Sequence, residues 1–555
     1  MSENLNFLEG IIENDISNGL SERELKFRFP PEPNGYLHIG HVKAICINFG
    51  LGMKYNAPVN LRFDDTNPEK ESQEYINSMK EDIDWLGFKW EKETYTSDNF
   101  EILFGWARKM IVDGFAYVDE LSPNQISEYR KSPTEPGIES PFRNRPSFES
   151  VILFEKMKNG EFQKKQYCLR AKIDMNSPNM NLRDPIIYRI SDKKHIRTGD
   201  VWKIYPTYDW AHGQCDFLEG ITHSLCSLEF ENHRPLYEWF LEKILGKKPE
   251  YPKQREFARL NVSFMLTSKR KLQKLVEQNI VSGWDDPRMP TIAGLRRKGY
   301  TPEILRNFIK RIGVAKRENL IDIKLLEFCA REYLNKIAKR FMVVQDPINL
   351  IIENFPDQLV ETFNIENNPE DESMGRREVY FSRSLYMERE DFMEVADKNF
   401  YRLAIGQEVR LKSAYVINAH KVDKDEHGKI ITVYATYDKS SRSNNQDQST
   451  GRRVKSTIHW VSADHCIDVK LRLYDNLFSC ENPSHIKDDV ENYLNPNSLT
   501  VLNGYGEKLL SKVDSIENLQ FQRIGYFKKD RDSTENCLIY NRTVTLKDSY
   551  KPQIP

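Results

Sequence analysis

At 555 residues, 39% hydrophobic and 30% charged, the chain holds apolar material for about three or four domains with cores of their own. Its formal net charge of −2 excludes a globally basic or acidic protein, its mean hydropathy of −0.65 is that of an ordinary soluble chain, and no apolar run approaches the ~18 residues of a membrane helix. The eight cysteines (46, 168, 215, 226, 329, 466, 480, 537) include no Cys-x-x-Cys pair, and Met1-Ser-Glu-Asn-Leu lacks a signal-peptide pattern, so zinc sites and a disulfide framework are not expected and a cytoplasmic location is.

Residues 6–20 space Leu8, Ile11, Ile12 and Ile16 as a short amphipathic helix ending near Gly19, and Lys26–Phe29 alternates as a strand. The turn Pro30–Gly35 leads into a helix at about 40–54, with Val42, Ile45, Phe49 and Met53 on one face. Val59–Phe63 reads as a second strand and Glu69–Leu86 as a second helix. This β–α–β–α order predicts a parallel, doubly wound α/β (Rossmann-type) sheet, with ligands at the carboxyl ends of its strands, where Asp64-Asp-Thr-Asn-Pro68 sits. From about 100 to 205, helical stretches (Phe100–Val112, Ser147–Lys158) alternate with short strands (Tyr167–Ile173, Ile186–Ile190), and Ser132–Pro146, with four prolines, reads as loop. This region is expected to be an insertion, the first sheet resuming near Tyr205 and running to about Asn261.

Residues 262–338 read as a mostly helical connector. Beyond about 340 the pattern is β: Val409–Ile417 and Ile430–Tyr437 flank a hairpin turn at Glu426–Gly428, and further strands are expected at Ser456–Val461, Val469–Leu473 and Leu538–Leu546. Such a run suggests one or two barrels, with the polar stretch Ser440–Gly451 as a loop. The expected domains are therefore 1–100 and 206–261 for the two halves of the first fold, 101–205, 262–338 and 339–555. Within 291–340 there are 13 Lys/Arg against 5 Asp/Glu, a block that either tracks a phosphate backbone or forms a solvated helical face.

A strand that turns sharply into a helix presents backbone N–H groups and a positive helix end to an anion, so Arg28–His41 reads as a nucleotide phosphate site. Such a site calls for a second basic loop, and Met265-Leu-Thr-Ser-Lys-Arg-Lys-Leu272 is a candidate, the alternative being a surface patch. At these residues a family resemblance emerges. Pro31-Glu-Pro-Asn-Gly-Tyr-Leu-His-Ile-Gly-His41 resembles the His-Ile-Gly-His signature of class I aminoacyl-tRNA synthetases, in the form of their glutaminyl/glutamyl branch. Leu266-Thr-Ser-Lys-Arg270 is similar to that branch's version of the Lys-Met-Ser-Lys-Ser loop, departing at Leu266, Thr267 and Arg270 while keeping Ser268 and Lys269. Leu61–Pro68, Glu219–Phe230, Gly283–Ile292 and Val454–Ser462 match as well, in order and across nearly the whole chain.

The resemblance implies a catalytic domain of the doubly wound type, an α+β acceptor-binding insertion, a helical connector and C-terminal β-barrels that bind the anticodon. It implies ATP-dependent ligation of L-glutamine to the 3′ end of tRNA(Gln) through an aminoacyl-adenylate, with magnesium accompanying ATP, in a monomer without membrane attachment. His38, His41 and Lys269 would serve activation, His38 and His41 alternatively being a pair that caps one helix. ATP would be held by Glu32, Pro33, Asn34, His38, Ile39, Gly40, His41, Val42, Lys43 and Ala44, then by Ser227, Arg259, Leu260, Thr267, Ser268 and Lys269, with Gly40 permitting close approach. The amino-acid pocket would comprise Arg28, Asp64, Tyr208, Cys226, Phe230 and Gln254, with Asp64 pairing with the ammonium and Tyr208 reading the amide. Related eukaryotic-type glutamyl enzymes carry Arg where this chain has Cys226; a neutral thiol leaves a glutamate carboxylate unpaired, which favours glutamine. For tRNA the resemblance implies Pro133, Asn232 (where Asp is expected), Lys316 and Arg317, and for the anticodon Arg340, Arg402, Arg410, Lys412, Gln520 and Arg523, with Tyr401 able to stack on a base. A glutamate-accepting ligase and a catalytically silent RNA-binding relative are the alternatives.

Overall fold

A computed structural model describes residues 5–248, 251–396, 398–443, 454, 456–487 and 489–546. The chain divides into two compact units, one of residues 1–261 and 309–321, the other of 262–308 and 322–555.

In the first unit, α1 (Phe7–Ser17) precedes β1 (Phe27–Phe29), α2 (Ile39–Lys54), β2 (Val59–Phe63), α3 (Gln73–Trp85) and β3 (Glu93–Tyr95). β1, β2 and β3 are parallel, with Phe27 opposite Val59 and Leu61 opposite Glu93. All three residues of β1 and all five of β2 are buried, the pattern of strands covered on both faces. α4 (Phe100–Val112), β4 (Ala116–Asp119), α5 (Pro123–Arg130), α6 (Ser147–Lys158), β5 (Cys168–Ala171), β6 (Ile186–Ile190) and β7 (Ile204–Pro206) then build a separate antiparallel sheet in the order β4-β5-β6-β7. Phe104 stacks on Phe154 at 4.6 Å between α4 and α6, and the same core continues into Trp210 and Phe240.

The chain returns through α7 (Tyr208–Leu218) to β8 (His223–Ser227), α8 (Arg234–Leu245) and β9 (Lys253–Phe257). β8 and β9 are parallel, and β8 adjoins β1, since Thr222 N–H donates to the Lys26 carbonyl at 3.1 Å. The doubly wound α/β expectation thus stands, with one correction. Tyr205 does not resume the parallel sheet: β7 pairs antiparallel with β6, Tyr205 opposite Arg189, and the parallel strands restart only at His223.

In the second unit, helices at Lys269–Glu277, Ile292–Lys298 and Ile323–Ile337 accompany two seven-stranded sheets. One sheet runs from Lys339–Phe341 at one edge to Val343–Val344 at the other, and these edges are separated in the chain only by Met342. The other runs from Thr457–Ile458 to Trp460–Ser462, separated only by His459. Edges joined by one residue force each sheet to curl until they meet, so both are barrel-like. Phe363, Phe381, Tyr415 and Trp460 fill one core; Phe341, Phe521, Phe527 and Tyr540 fill the other.

Val409–Ile417, expected as one strand, folds back on itself. Val409 pairs antiparallel with Ile417, and Ser413 takes φ 57° at the reversal. The hairpin at Glu426–Gly428 instead joins Val416–Lys424 to Ile430–Asp438. Of the loop expected at Ser440–Gly451, residues 444–451 lie outside the described residues. No helix among the described residues is long and apolar enough to cross a membrane.

Candidate active site and nucleic-acid interface

The turn after β1 is fixed from the neighbouring strand end: Asp64 N–H donates to the Pro31 carbonyl at 3.0 Å, and Ser72 N–H to that of Pro33 at 3.2 Å. Pro33 is buried between partly exposed Glu32 and Asn34. The two histidines cap α2 in a reciprocal box. His38 Nδ1 accepts from Gly40 N–H and His41 Nδ1 accepts from His38 N–H, each at 3.1 Å, with the rings 3.9 Å apart. Because both Nδ1 atoms accept, the neutral rings carry their hydrogens on Nε2. The cap and a ligand role are compatible: one nitrogen of each ring orders the helix, and the other is a donor.

Gly40 has a reason inside the chain. A Cβ there would come within 2.9 Å of the His38 ring, so the glycine makes room for the cap. Ile39 and Val42 are buried, Ala44 is half-buried, and Lys43 donates to the Ala258 carbonyl at 2.6 Å, burial pulling its ammonium pKa down. At the end of β8 Ser227 Oγ donates to Glu229, and just beyond β9 Arg259 pairs with Glu229 and Glu318 and Leu260 is buried.

The candidate amino-acid pocket rests on a buried charge network. Arg28, fully buried, donates from Nε to Asp216 at 2.9 Å, from Nη1 to the Leu225 carbonyl, and from Nη2 to Ser224 and His212. Arg62 reaches the same Asp216 oxygen at 2.7 Å and also pairs with Glu219. Burial works against the Asp216 carboxylate, but the Arg28 and Arg62 charges with the Ser224 hydrogen bond outweigh it and hold its pKa well below the usual range. Burial pushes His212 down to about 3, so it is neutral and accepts from Arg28 through Nε2.

Tyr208 opens α7 and lies against His212 at 4.7 Å and Phe230 at 5.1 Å, and Cys226, Arg28 and Asp64 all act on its buried phenol. Gln254 Nε2 donates to the Phe230 carbonyl and to Glu256, each at 2.9 Å, which spends its amide hydrogens and leaves its oxygen as an acceptor. Burial raises the Cys226 thiol to about 12, keeping it neutral, and raises Asp64 to about 6. These six residues are thus brought together in one unit.

The sequence reading missed the groups behind them. Asp65 accepts from Ser97 N–H and Oγ, and burial raises it to about 7. Burial raises Glu71 to about 9, and its Oε2 has no hydrogen-bond partner among the described residues. His195 accepts at Nδ1 from Arg197 and Thr198 N–H, so its Nε2–H donates to the Asp65 carbonyl at 2.8 Å. Arg62 and Asp65 lay within a stretch already singled out; Glu71, His195 and Asp216 carry no motif that marks them.

In the second unit, Ser268 is the N-cap of Lys269–Glu277 and makes no side-chain hydrogen bond to that helix. Leu266 is fully buried against Leu272, Leu275, Val281 and Met289, so the departure from Lys at this position serves a core; Thr267 is half-buried. Arg340, Arg410, Lys412, Gln520 and Arg523 line one cavity of about 500 Å³. Arg402 lies outside its lining, paired with Asp391, which also holds Arg523. Tyr401 is exposed. In the first unit, Pro133, Asn232, Lys316 and Arg317 are exposed, and the Lys316 ammonium sits over the Phe7 ring at 4.8 Å.

The basic block does not act as a single face. Arg297 pairs with Asp285, Asp530 and Asp532 and is spent within the second unit, and burial lowers the Lys298 ammonium pKa.

The family model for the catalytic domain of class I tRNA synthetases (E and Q) matches residues 24–336. The chain belongs to that family. Models of the family's anti-codon binding domain match 338–438 and 457–530, the stretches that supply the residues of the 500 Å³ cavity apart from Ser443. A glutamine–tRNA ligase of Vibrio vulnificus (strain YJ016) is 51% identical over 548 residues, covering 98% of this chain and 97% of its own length. One from Haemophilus influenzae (strain 86-028NP) is 51% identical over 547 residues, with the same shares. A solved glutamate–tRNA synthetase from Elizabethkingia anophelis aligns at 16% identity over 57% of this chain and 71% of its own, with a TM-score of 0.42. As in any class I synthetase, the substrate that supplies the energy is ATP.

Proposed function

We propose that the chain attaches L-glutamine to the 3′ end of tRNA(Gln), releasing AMP and diphosphate. The observation that carries this reading is the charge state of the amino-acid pocket. Cys226 is a neutral thiol, and the Arg28 guanidinium is committed to Asp216, Ser224 and a backbone carbonyl. A glutamate side chain would be buried there without a partner, whereas a glutamine amide finds the Gln254 oxygen and the Tyr208 hydroxyl. The similarity to glutamine–tRNA ligases supports the same choice.

In the first step the glutamine carboxylate attacks the α-phosphate of ATP and pyrophosphate leaves; in the second a hydroxyl of the tRNA's terminal ribose attacks the acyl carbon and AMP leaves. No protein nucleophile takes part, so the residues position the reactants and stabilise charge. Asp64 binds the ammonium, the Nε2–H groups of His38 and His41 donate to phosphate oxygens, and Lys269 offsets charge on the leaving pyrophosphate. Glu32–Asn34, Ile39–Ala44, Ser227, Arg259, Leu260 and Thr267-Ser268 complete the ATP contacts. Magnesium accompanies ATP on its phosphates; no group of three or more metal-ligating side chains occurs among the described residues, and we assign it none.

The insertion, 101–205, holds the acceptor end, with Pro133 and Asn232; Lys316 and Arg317 follow the RNA backbone; the barrels, 339–555, take the anticodon in the cavity around Arg340 and Gln520. The enzyme works as a monomer in the cytoplasm, a location that eight cysteines outside any disulfide support.

ATP–pyrophosphate exchange with tRNA present tests the substrate. Glutamine is expected to exceed glutamate in kcat/KM by up to ~10⁴-fold, the discrimination of a site built on hydrogen bonds; equal or faster exchange with glutamate overturns the reading. The pH profile tests Asp64. Its pKa is raised to about 6, so the carboxylate is charged above that value and neutral below it. Since the ammonium needs the charged form, kcat/KM for glutamine is expected to fall as pH drops through about 6. In Asp64→Asn that limb disappears along with most of the activity; a wild-type profile flat from pH 7 to 5 would remove Asp64 from this role.

A further inference from the structure

A second cavity in the barrel unit, of about 480 Å³, is lined by Arg377, Glu507, Tyr380, His465, Lys508 and Lys512 among others. Its floor is an ion pair. Arg377 donates from Nε and Nη2 to the two Glu507 oxygens at 2.6 and 2.7 Å, both side chains are buried, and Glu507 also accepts the Met342 N–H at 2.7 Å. This pair is therefore neutral and fixed; of the other charges in the lining Arg376 is paired with Glu366, and Lys508 and Lys512 outnumber the Glu378 carboxylate. Lys508 and Lys512, the two ends of a short 3-10 helix, are exposed and have no ion-pair partner among the described residues.

One wall is aromatic. Tyr380 and His465 lie 4.9 Å apart with their rings tilted by 43°. His465 Nε2 is buried without a hydrogen-bond partner among the described residues, a cost that a ligand with a complementary edge would remove. Aromatic ring faces, an unspent ring nitrogen and a surplus of positive charge around one cavity match a heteroaromatic base with a phosphate attached.

We propose that this cavity binds a single nucleotide unit, with the phosphate at Lys508 and Lys512 and the base against Tyr380 and His465. Arg376 lines both this cavity and the one containing Arg340 and Gln520. A nucleotide of bound tRNA is therefore one source of the ligand, which rests on the tRNA-ligase reading, and a free mononucleotide is the other.

The test uses the full-length enzyme, Lys508→Glu/Lys512→Glu and His465→Ala, with UMP and inorganic phosphate as calorimetric probes and KM for tRNA as the second arm. The charge-reversal variant is expected to weaken UMP binding on the order of ten-fold or more. A parallel rise in KM for tRNA identifies the RNA as the source, and an unchanged KM identifies the free nucleotide. His465→Ala is expected to keep phosphate binding and lose the preference for UMP. Equal UMP affinity and equal KM for tRNA in wild type and the charge-reversal variant overturn the site; an unchanged UMP preference in His465→Ala overturns the base contact. Glutamine-dependent exchange at saturating tRNA should persist in all variants, and its absence from wild type would count against the ligase reading alone.

Discussion

Replacing Lys269 with alanine is expected to slow glutamine-dependent ATP–pyrophosphate exchange by roughly 10²–10³-fold while leaving equilibrium binding of glutamine unchanged, the loss that follows removal of one group aimed at developing charge. Lys269 is the first residue of its helix, and Ser268, the N-cap, does not spend its side chain on the helix N–H groups. On the proposed reading, the helix end and the Lys269 ammonium would both favour negative charge developing on the leaving pyrophosphate. Leu266 anchors the segment by its burial among Leu272, Leu275 and Met289, so truncating Lys269 removes charge without removing the anchor. Lys269→Arg, which keeps the charge, should recover part of the rate. An alanine variant within two-fold of wild type would take the loop out of activation and revive the reading of a catalytically silent relative.

Local pattern revealed some parts of this molecule and could not reveal others. The spacing of Val42, Ile45 and Phe49 predicts α2, and all three are buried, but Met53, expected on the same face, is exposed because burial gives out in the last turn of the helix; Phe100–Val112 and Ser147–Lys158 emerge with the expected bounds. Tyr205 misled because a strand's partner is not written in the strand: β7 looks the same whether it joins β6 or the parallel sheet. Val409–Ile417 alternates without a glycine or proline, and only the positive φ of Ser413 reveals the reversal.

The candidate site divides along the same line. Glu32 to Ala44 and Cys226 to Phe230 could be proposed from the sequence because the motifs that carry the family resemblance are contiguous there. Arg297 belongs to the basic block that reads either as a phosphate track or as a solvated face, and is neither, because its carboxylates lie more than 200 residues away at Asp530 and Asp532. Asp216 was invisible for a related reason: its meaning lies in two arginines drawn from other strands.

Asp216 is accordingly where the largest loss of stability is expected. Asp216→Ala leaves Arg28 without a carboxylate and Arg62 with only Glu219, in a site where Arg28 and Asp216 are completely buried. Removing one partner of a buried ion pair costs about 3–5 kcal/mol, because the remaining charge must stay desolvated or drag water into the core. Urea unfolding should show that loss, and hydrogen exchange should localise it to the β1–β2–β8 strands; a cost below ~1 kcal/mol would mean that Arg28 had found another route to neutrality. The sign with pH is definite. Asp216 has a depressed pKa in the folded state, so its contribution is fully present above the unfolded value of ~4 and is lost as pH falls below it toward the folded pKa. Wild type should therefore lose stability relative to Asp216→Ala only on acidification below ~4, and the two should run parallel above pH 5. Because Arg28 also lies beside Tyr208 and Cys226, the same substitution should raise KM for glutamine more than it lowers kcat, joining the stability of the fold to the neutrality of the pocket that selects the amide.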